Sequence, residues 1–197
     1  LIFPAVLLLV QAELGLGYAG LGLLASVAFA CYGLLALPAG ILADRLGGER
    51  VLAVWLFGGS VACCGIGAST GSWSLAIGLA LLGLFASLHH PAGSGILVAL
   101  RQQMGTNVSK AFGLSGILGN IGIAGSPILA AAIGVRWGWR AAFFAGAVPG
   151  PLLCVPLWRR PREAPPCTRI AVPAGDSLTR SPSPASAFGL PLILLFG

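Results

Sequence analysis

Few side chains in this sequence can do chemistry, and most of those lie inside long apolar runs. His89 and His90 stand side by side, followed by Pro91. An imidazole titrates near pH ~6.5, so either residue could exchange a proton close to neutrality. A histidine at membrane depth is costly unless partnered, which makes the pair a candidate for cavity, substrate or proton contact. Consecutive helical residues point about 100° apart, so one of them faces a cavity while the other packs and bonds a backbone carbonyl. Pro91 removes a backbone donor and can kink its helix. Asn120 is the strongly polar residue of another apolar run and either bonds a neighbouring helix or lines the cavity. Asp44 and Arg45 bring opposite charges to the end of a third run. No third ligand accompanies the histidines, so no metal and no cofactor is expected. Ser87 and Ser94 are nearby, but no GxSxG element and no acid inside a run joins them. A polytopic membrane enzyme is therefore the lesser alternative, because a nucleophile needs its base and orienting group within reach.

The elements that hold these residues follow from composition. Of 197 residues, 57% are hydrophobic and 8% charged, with a net charge of +6. Soluble domains carry about 25% charged residues, so a chain this poor in charge must turn a large apolar surface toward something other than water. A span needs about 20 mostly apolar residues. The positive charges sit at the ends of apolar runs, without interleaved aromatics, which argues against nucleic acid and for topology signals. The cysteines form no CxxC pair and read as small packing residues.

Five full spans are expected, roughly Tyr18 to Leu42, Arg50 to Ser69, Trp73 to Leu100, Val108 to Val135, and Trp137 to Trp158. Leu1 to Val10 reads as the tail of a truncated first helix, and residues 187–197 as the start of a seventh. The expected domains are a transmembrane bundle over 1–158, a proline- and serine-rich cytoplasmic linker over 159–186, and the first residues of a second bundle over 187–197. Nine Lys and Arg residues follow the even-numbered spans, and two, Arg136 and Arg140, lie on the opposite side. The positive-inside rule puts the nine in the cytoplasm. A multi-pass protein of the cell (inner) membrane is the consistent reading.

Gly40-Ile-Leu-Ala-Asp44-Arg45-Leu-Gly47-Gly48-Glu49-Arg50 is the sharpest motif. Its glycines allow close approach and a tight reversal, and its charges lie at an interface where they can pair. It resembles the loop signature of the major facilitator superfamily at Gly40, Ala43, Asp44, Arg45 and Gly47, with Arg50 as the later positive charge. Gly48-Glu49 departs from the family, which usually has basic residues there. The resemblance implies an all-α membrane protein whose six-helix amino-terminal bundle packs on a carboxy-terminal half. It also implies that this loop gates conformational change, with Asp44 facing a helix N-terminus of that half, where a positive dipole end favours an anion.

The fifth span carries Gly113, Gly116, Gly119, Gly122 and Gly125, then Pro127. Glycines at such intervals let membrane helices pack with backbones nearly touching, and Pro127 would bend the helix. The stretch is similar to the glycine- and proline-rich fifth-helix motif of major facilitator antiporters. His89-His90-Pro91, followed by this span with Asn120, resembles the fosmidomycin-resistance-like group of drug efflux transporters. Gly138-Trp139-Arg140 looks like the family's turn into the sixth helix, and Trp137 and Trp139 suit an interfacial aromatic belt. The implied function is secondary active transport of a small molecule by alternating access, as efflux or proton antiport. Uptake of a small organic anion or sugar is the alternative. No Asp or Glu occupies the centre of a full span, so proton coupling would fall to a histidine, the interfacial charges, or residues elsewhere in the protein.

Overall fold

The computed structural model describes residues 2–104 and 108–159, and the side chains there other than those of 97–112. Nine helices and no strand occur among the described residues. They are α1 (Ile2–Ala5), α2 (Leu7–Leu14), α3 (Tyr18–Leu46), α4 (Gly48–Gly67), α5 (Ser72–Ala86), α6 (His89–Met104), α7 (Val108–Trp137), α8 (Trp139–Ala147) and α9 (Pro149–Trp158). Five stretches are long and apolar enough to cross a membrane: Tyr18–Leu46, Gly48–Gly67, Ser72–Ile96, Gly113–Trp137 and Trp139–Trp158. These are the five full spans expected. The linker and the seventh-helix start lie outside the described residues, Arg159 excepted.

Prolines explain where spans are cut. The fourth span, expected as one helix, is two pieces, α5 and α6, separated at Ser87 and Leu88. Pro91 falls in the first turn of α6, where its missing N–H leaves no gap in the ladder. The Ser87 hydroxyl donates to the Leu84 carbonyl at 2.7 Å, which helps close the preceding turn. The sixth span is likewise α8 and α9, divided at Val148 with Pro149 opening α9. Pro127 breaks nothing: α7 runs through it without interruption. At the start of the chain, Val6 donates to the Ile2 carbonyl at 3.2 Å and Val10 donates to the Val6 carbonyl at 3.1 Å, so α1 and α2 form one rod.

Two reversals between spans are made by single glycines. Gly47, at φ 88° and ψ 143°, reverses the chain between α3 and α4, and Gly138, at φ 86° and ψ 155°, does so between α7 and α8. This corner of backbone space is nearly closed to residues with a Cβ. An arginine stands two residues before each, Arg45 and Arg136. The expected loop over Asp44 to Arg50 is therefore not a loop. Because Gly47 turns within one residue, α3 stays helical through Leu46, and Asp44 and Arg45 sit in its last turn. Gly47→Val should cost about 1–3 kcal/mol of backbone strain. A melting temperature equal to the parent's in detergent would show that this corner is not held.

Burial of oil is a weak force in lipid, so packing must come from close fit. The core has two parts. One joins Phe3, Val6, Val10, Leu21, Ile66, Leu75, Trp139 and Phe143. The other joins Ala39, Val51, Leu52, Leu56, Leu88, Ala92 and Leu157 around the Gly47 end. α4 runs through both and is the most enclosed span. Glycines set its crossings. A Cβ at Gly48 would lie 2.7 Å from the Ala92 carbonyl oxygen, and one at Gly78 would lie 2.6 Å from Ile66 Cγ1. At Gly150 a Cβ would strike Ser60 and the Leu56 carbonyl; away from α4, a Cβ at Gly83 would strike the Ala28 carbonyl where α5 crosses α3.

Candidate functional site

The histidines begin α6 beside the break, and the helix divides them as its geometry demands. His89 turns into the bundle, its ring 4.4 Å from that of Trp55 on α4 and tilted 35° to it. His90 is exposed and meets Tyr32 of α3 edge to face, with centroids 6.2 Å apart. The two imidazoles are 5.1 Å apart. A chain of rings, Trp55–His89–His90–Tyr32, thus links three spans. Tyr32 is the middle residue of α3, and His90 lies near the middle of the stretch from Ser72 to Met104. Asn120 is near the middle of α7 and is exposed. Its carboxamide nitrogen donates to the Gly116 carbonyl at 2.7 Å, within its own helix, and the oxygen stays available as an acceptor. Three polar side chains thus lie within three of the spans, partly or fully uncovered. Among the described residues, no group of three His, Cys, Asp or Glu side chains converges as metal ligands.

The charged motif occupies the other end of α3. Asp44 and Arg45 are exposed, and among the described residues Asp44 forms no ion pair. A carboxylate in a last helical turn opposes its own helix dipole, whereas Arg45 complements it. Glu49 lies in the first turn of α4, where the dipole favours an anion, which gives a physical reason for an acid at this position. Gly40 was expected to meet another backbone, but a Cβ there would meet nothing within 4 Å; Gly48 makes the close approach instead. The fifth-span glycines behave in the same way. A Cβ at Gly113, Gly116, Gly122 or Gly125 would enter open space, and the close contact on α7 is at Gly134, 2.9 Å from Val6 Cγ1. Gly119 is buried, and Ile117, Ile121 and Ile128 beside the stripe are 61%, 62% and 70% exposed. Within the described chain this face of α7 has no neighbour.

Sequence reasoning missed a cluster at the opposite end of the bundle. Trp139, expected in an interfacial belt, is only 2% exposed, while Trp137 is 67% exposed and does face outward. The positive φ of Gly138 turns Trp139 inward, against Phe143. Its indole N–H donates to Glu13 Oε2 at 2.6 Å. Arg140 forms an ion pair with Glu13, lies 4.3 Å over the Trp139 ring, and donates from two nitrogens to the Ser69 carbonyl, at 2.9 and 3.3 Å. The three connections expected on one face of the membrane are thereby joined at one end. The Arg140 guanidinium, and then the Trp139 N–H, hold the Glu13 carboxyl below the usual carboxylate range. A depressed folded-state pKa means that this contribution is present above the unfolded pKa, near ~4.3, and is lost as pH falls through the folded value. Glu13→Gln should therefore lower stability at pH 7 by about 1 kcal/mol or less, since the pair is partly exposed. The gap should close in acid. A gap independent of pH, in melts taken from neutral to acidic buffer, would remove the charge from this account.

The sequence matches the Major Facilitator Superfamily over residues 1–196. The membrane sensor protein UhpC of Salmonella typhimurium is 27% identical over 146 residues, covering 72% of this chain and 33% of that protein. The aligned part of the chain thus spans about a third of the length of that curated relative.

Proposed function

The chain belongs to the Major Facilitator Superfamily, and from that premise we propose that it is the amino-terminal bundle of a secondary transporter, moving a small molecule outward in exchange for protons. On this reading residues 1–158 form the bundle, 159–186 the cytoplasmic linker, and 187–197 the start of a carboxy-terminal bundle that completes the cavity. The substrate binds between the two bundles near mid-membrane, and rocking of one against the other exposes it to each side in turn. The observation that carries this reading is the uncovered placement of Tyr32, His90 and Asn120 within three spans long and apolar enough to cross a membrane. Polar groups in mid-span face a cavity or a partner, because facing lipid costs too much. On this reading His90 is the residue that carries the exchanged proton. Asp44, opposed by its own helix dipole, is placed to meet a positive helix end of the second bundle.

The test is substrate flux in inner-membrane vesicles holding the full-length protein. His90→Ala and Asp44→Asn should each lower flux by about tenfold, the loss expected from one charge-assisted contact of 1.5–3 kcal/mol. Flux that survives both changes would discard these site assignments. Flux indifferent to an imposed pH gradient would discard proton antiport, and net inward movement would favour uptake. A second reading draws on the relative named as a membrane sensor protein: the same cavity would bind a ligand and report it without moving it. Ligand binding with no flux in any condition would select that reading.

A further inference from the structure

The cluster at the Gly138 end of the bundle belongs to neither the mid-membrane residues nor the charged α3 end. We infer that Glu13, Trp139, Arg140 and the Ser69 carbonyl form a staple that makes the end of α2, the 68–71 connection and the α7–α8 turn move as one body during the transport cycle. Three features separate it from an ordinary surface ion pair. Its partners are 126 and 127 residues apart in Glu13 and the Trp139–Arg140 turn, and 71 apart in Arg140 and Ser69. It is anchored in the core through Trp139, which is 2% exposed and shares a cluster with Phe3, Val6 and Val10. Each participant is used more than once: Glu13 accepts from two side chains, and Arg140 holds the carboxylate, the Ser69 carbonyl and the Trp139 ring. Such a network resists shear better than one pair, because displacing any element breaks several bonds together.

A polar staple suits this place. The rod of α1 and α2 has apolar packing on its inner turns, but its last turn ends at a bilayer boundary where water competes with packing. In the turn that follows, a Cβ added at Gly15 would meet nothing within 4 Å, so no side-chain packing encloses it. Without the staple, the end of α2 could lag behind the rest of the bundle when the bundle tilts. The charged groups at this end, among the described residues, are Glu13, Arg140 and Arg136. Arg136 lies 5.5 Å from the Trp137 ring, so Arg140 carries the pairing. The Ser69 hydroxyl, in a residue 3% exposed, has no hydrogen-bond partner among the described residues. A thiol placed there disturbs no bond and reports opening.

This inference rests on the transport reading for its function, and two experiments on the full-length protein in membranes separate the two claims. The first labels Ser69→Cys with a membrane-impermeant maleimide, mapping modified residues by peptide mass. Labelling should be slow with the staple intact. Glu13→Ala should speed it about tenfold, the scale of a local opening made easier by one lost charged contact. Equal labelling with and without Glu13 would overturn the staple. So would modification of the buried Cys63 by a permeant maleimide in the Glu13→Ala protein, because Glu13 would then hold the whole fold rather than one rim. The second experiment measures flux in Glu13→Cys/Arg140→Cys before and after joining the two thiols with a short bis-maleimide. Flux should be low before and recover afterward. Flux lost on joining would show that the rim must open, and would overturn the one-body claim. If the parent protein moves nothing, the transport reading fails, while the labelling result still decides whether the staple exists.

Discussion

A single methyl group placed at Gly83 is expected to destabilise the protein, while the same methyl at Gly122 leaves its stability intact. Both glycines lie inside helices, so both changes gain the same helix propensity, up to about 1 kcal/mol in soluble helices. Packing decides the difference. The Cβ of an alanine at Gly83 would lie 2.9 Å from the Ala28 carbonyl carbon and 3.1 Å from its Cα, with the oxygen closer still. These are backbone atoms in the middle of α3, and no rotamer change moves them. At Gly58 the obstacle is the Phe85 ring, which can turn aside. At Gly83 the two helices must separate. That costs at least about 1–3 kcal/mol by the usual scale of overpacking, and it forfeits dispersion along the whole α3–α5 seam. Gly83→Val should leave little folded protein in detergent. Melts of Gly83→Ala, Gly122→Ala and the parent check this. A Gly83→Ala protein that melts with the parent would mean that α3 and α5 do not cross as closely as described.

The pattern of spans was legible in the sequence because its signals are local. Apolar length marks each helix, and arginines mark which ends share a side. The contacts of Arg140 with Glu13 and Ser69 put the expected ends together. Boundaries were less legible. Asp44 and Arg45 read as loop residues because they are charged and near glycines, yet a single glycine at positive φ can complete the reversal and leave both in the helix. Pro91 and Pro127 look alike in sequence; one lies just after a break and the other in an unbroken helix, and tertiary context made the difference. The staple was illegible because no local pattern joins Glu13 to a tryptophan 126 residues away. Trp139 was visible, but its inward turn depends on the backbone angle at Gly138. Glycines were the most ambiguous. Gly83 and Gly122 both lie inside apolar helices, and the presence or absence of a facing backbone gives them opposite meanings.

That difference carries the second large expected effect, on flux rather than on stability. The stripe of Gly113, Gly116, Gly122 and Gly125 leaves backbone uncovered along half of α7, with exposed isoleucines beside it. In lipid alone such a stripe gains nothing, since leucine would fill the same face and suit the chains better. It gains a great deal if a second helix lies against it, because small residues let backbones approach. On the transport reading that helix belongs to the carboxy-terminal bundle, and the contact must form and loosen in each cycle. Gly122→Leu would then overpack one of the two alternating states and leave the other untouched. A penalty of about 1–3 kcal/mol on one state shifts their balance by roughly 5- to 150-fold. Flux should fall by a similar factor, with expression, elution volume and melting temperature unchanged. Gly122→Ala should fall between the two. If Gly122→Leu transports at the parent's rate, no helix packs on this stripe in either state, and α7 faces lipid there. If instead Gly122→Leu fails to fold, the stripe is an internal seam of the assembled protein rather than a moving one.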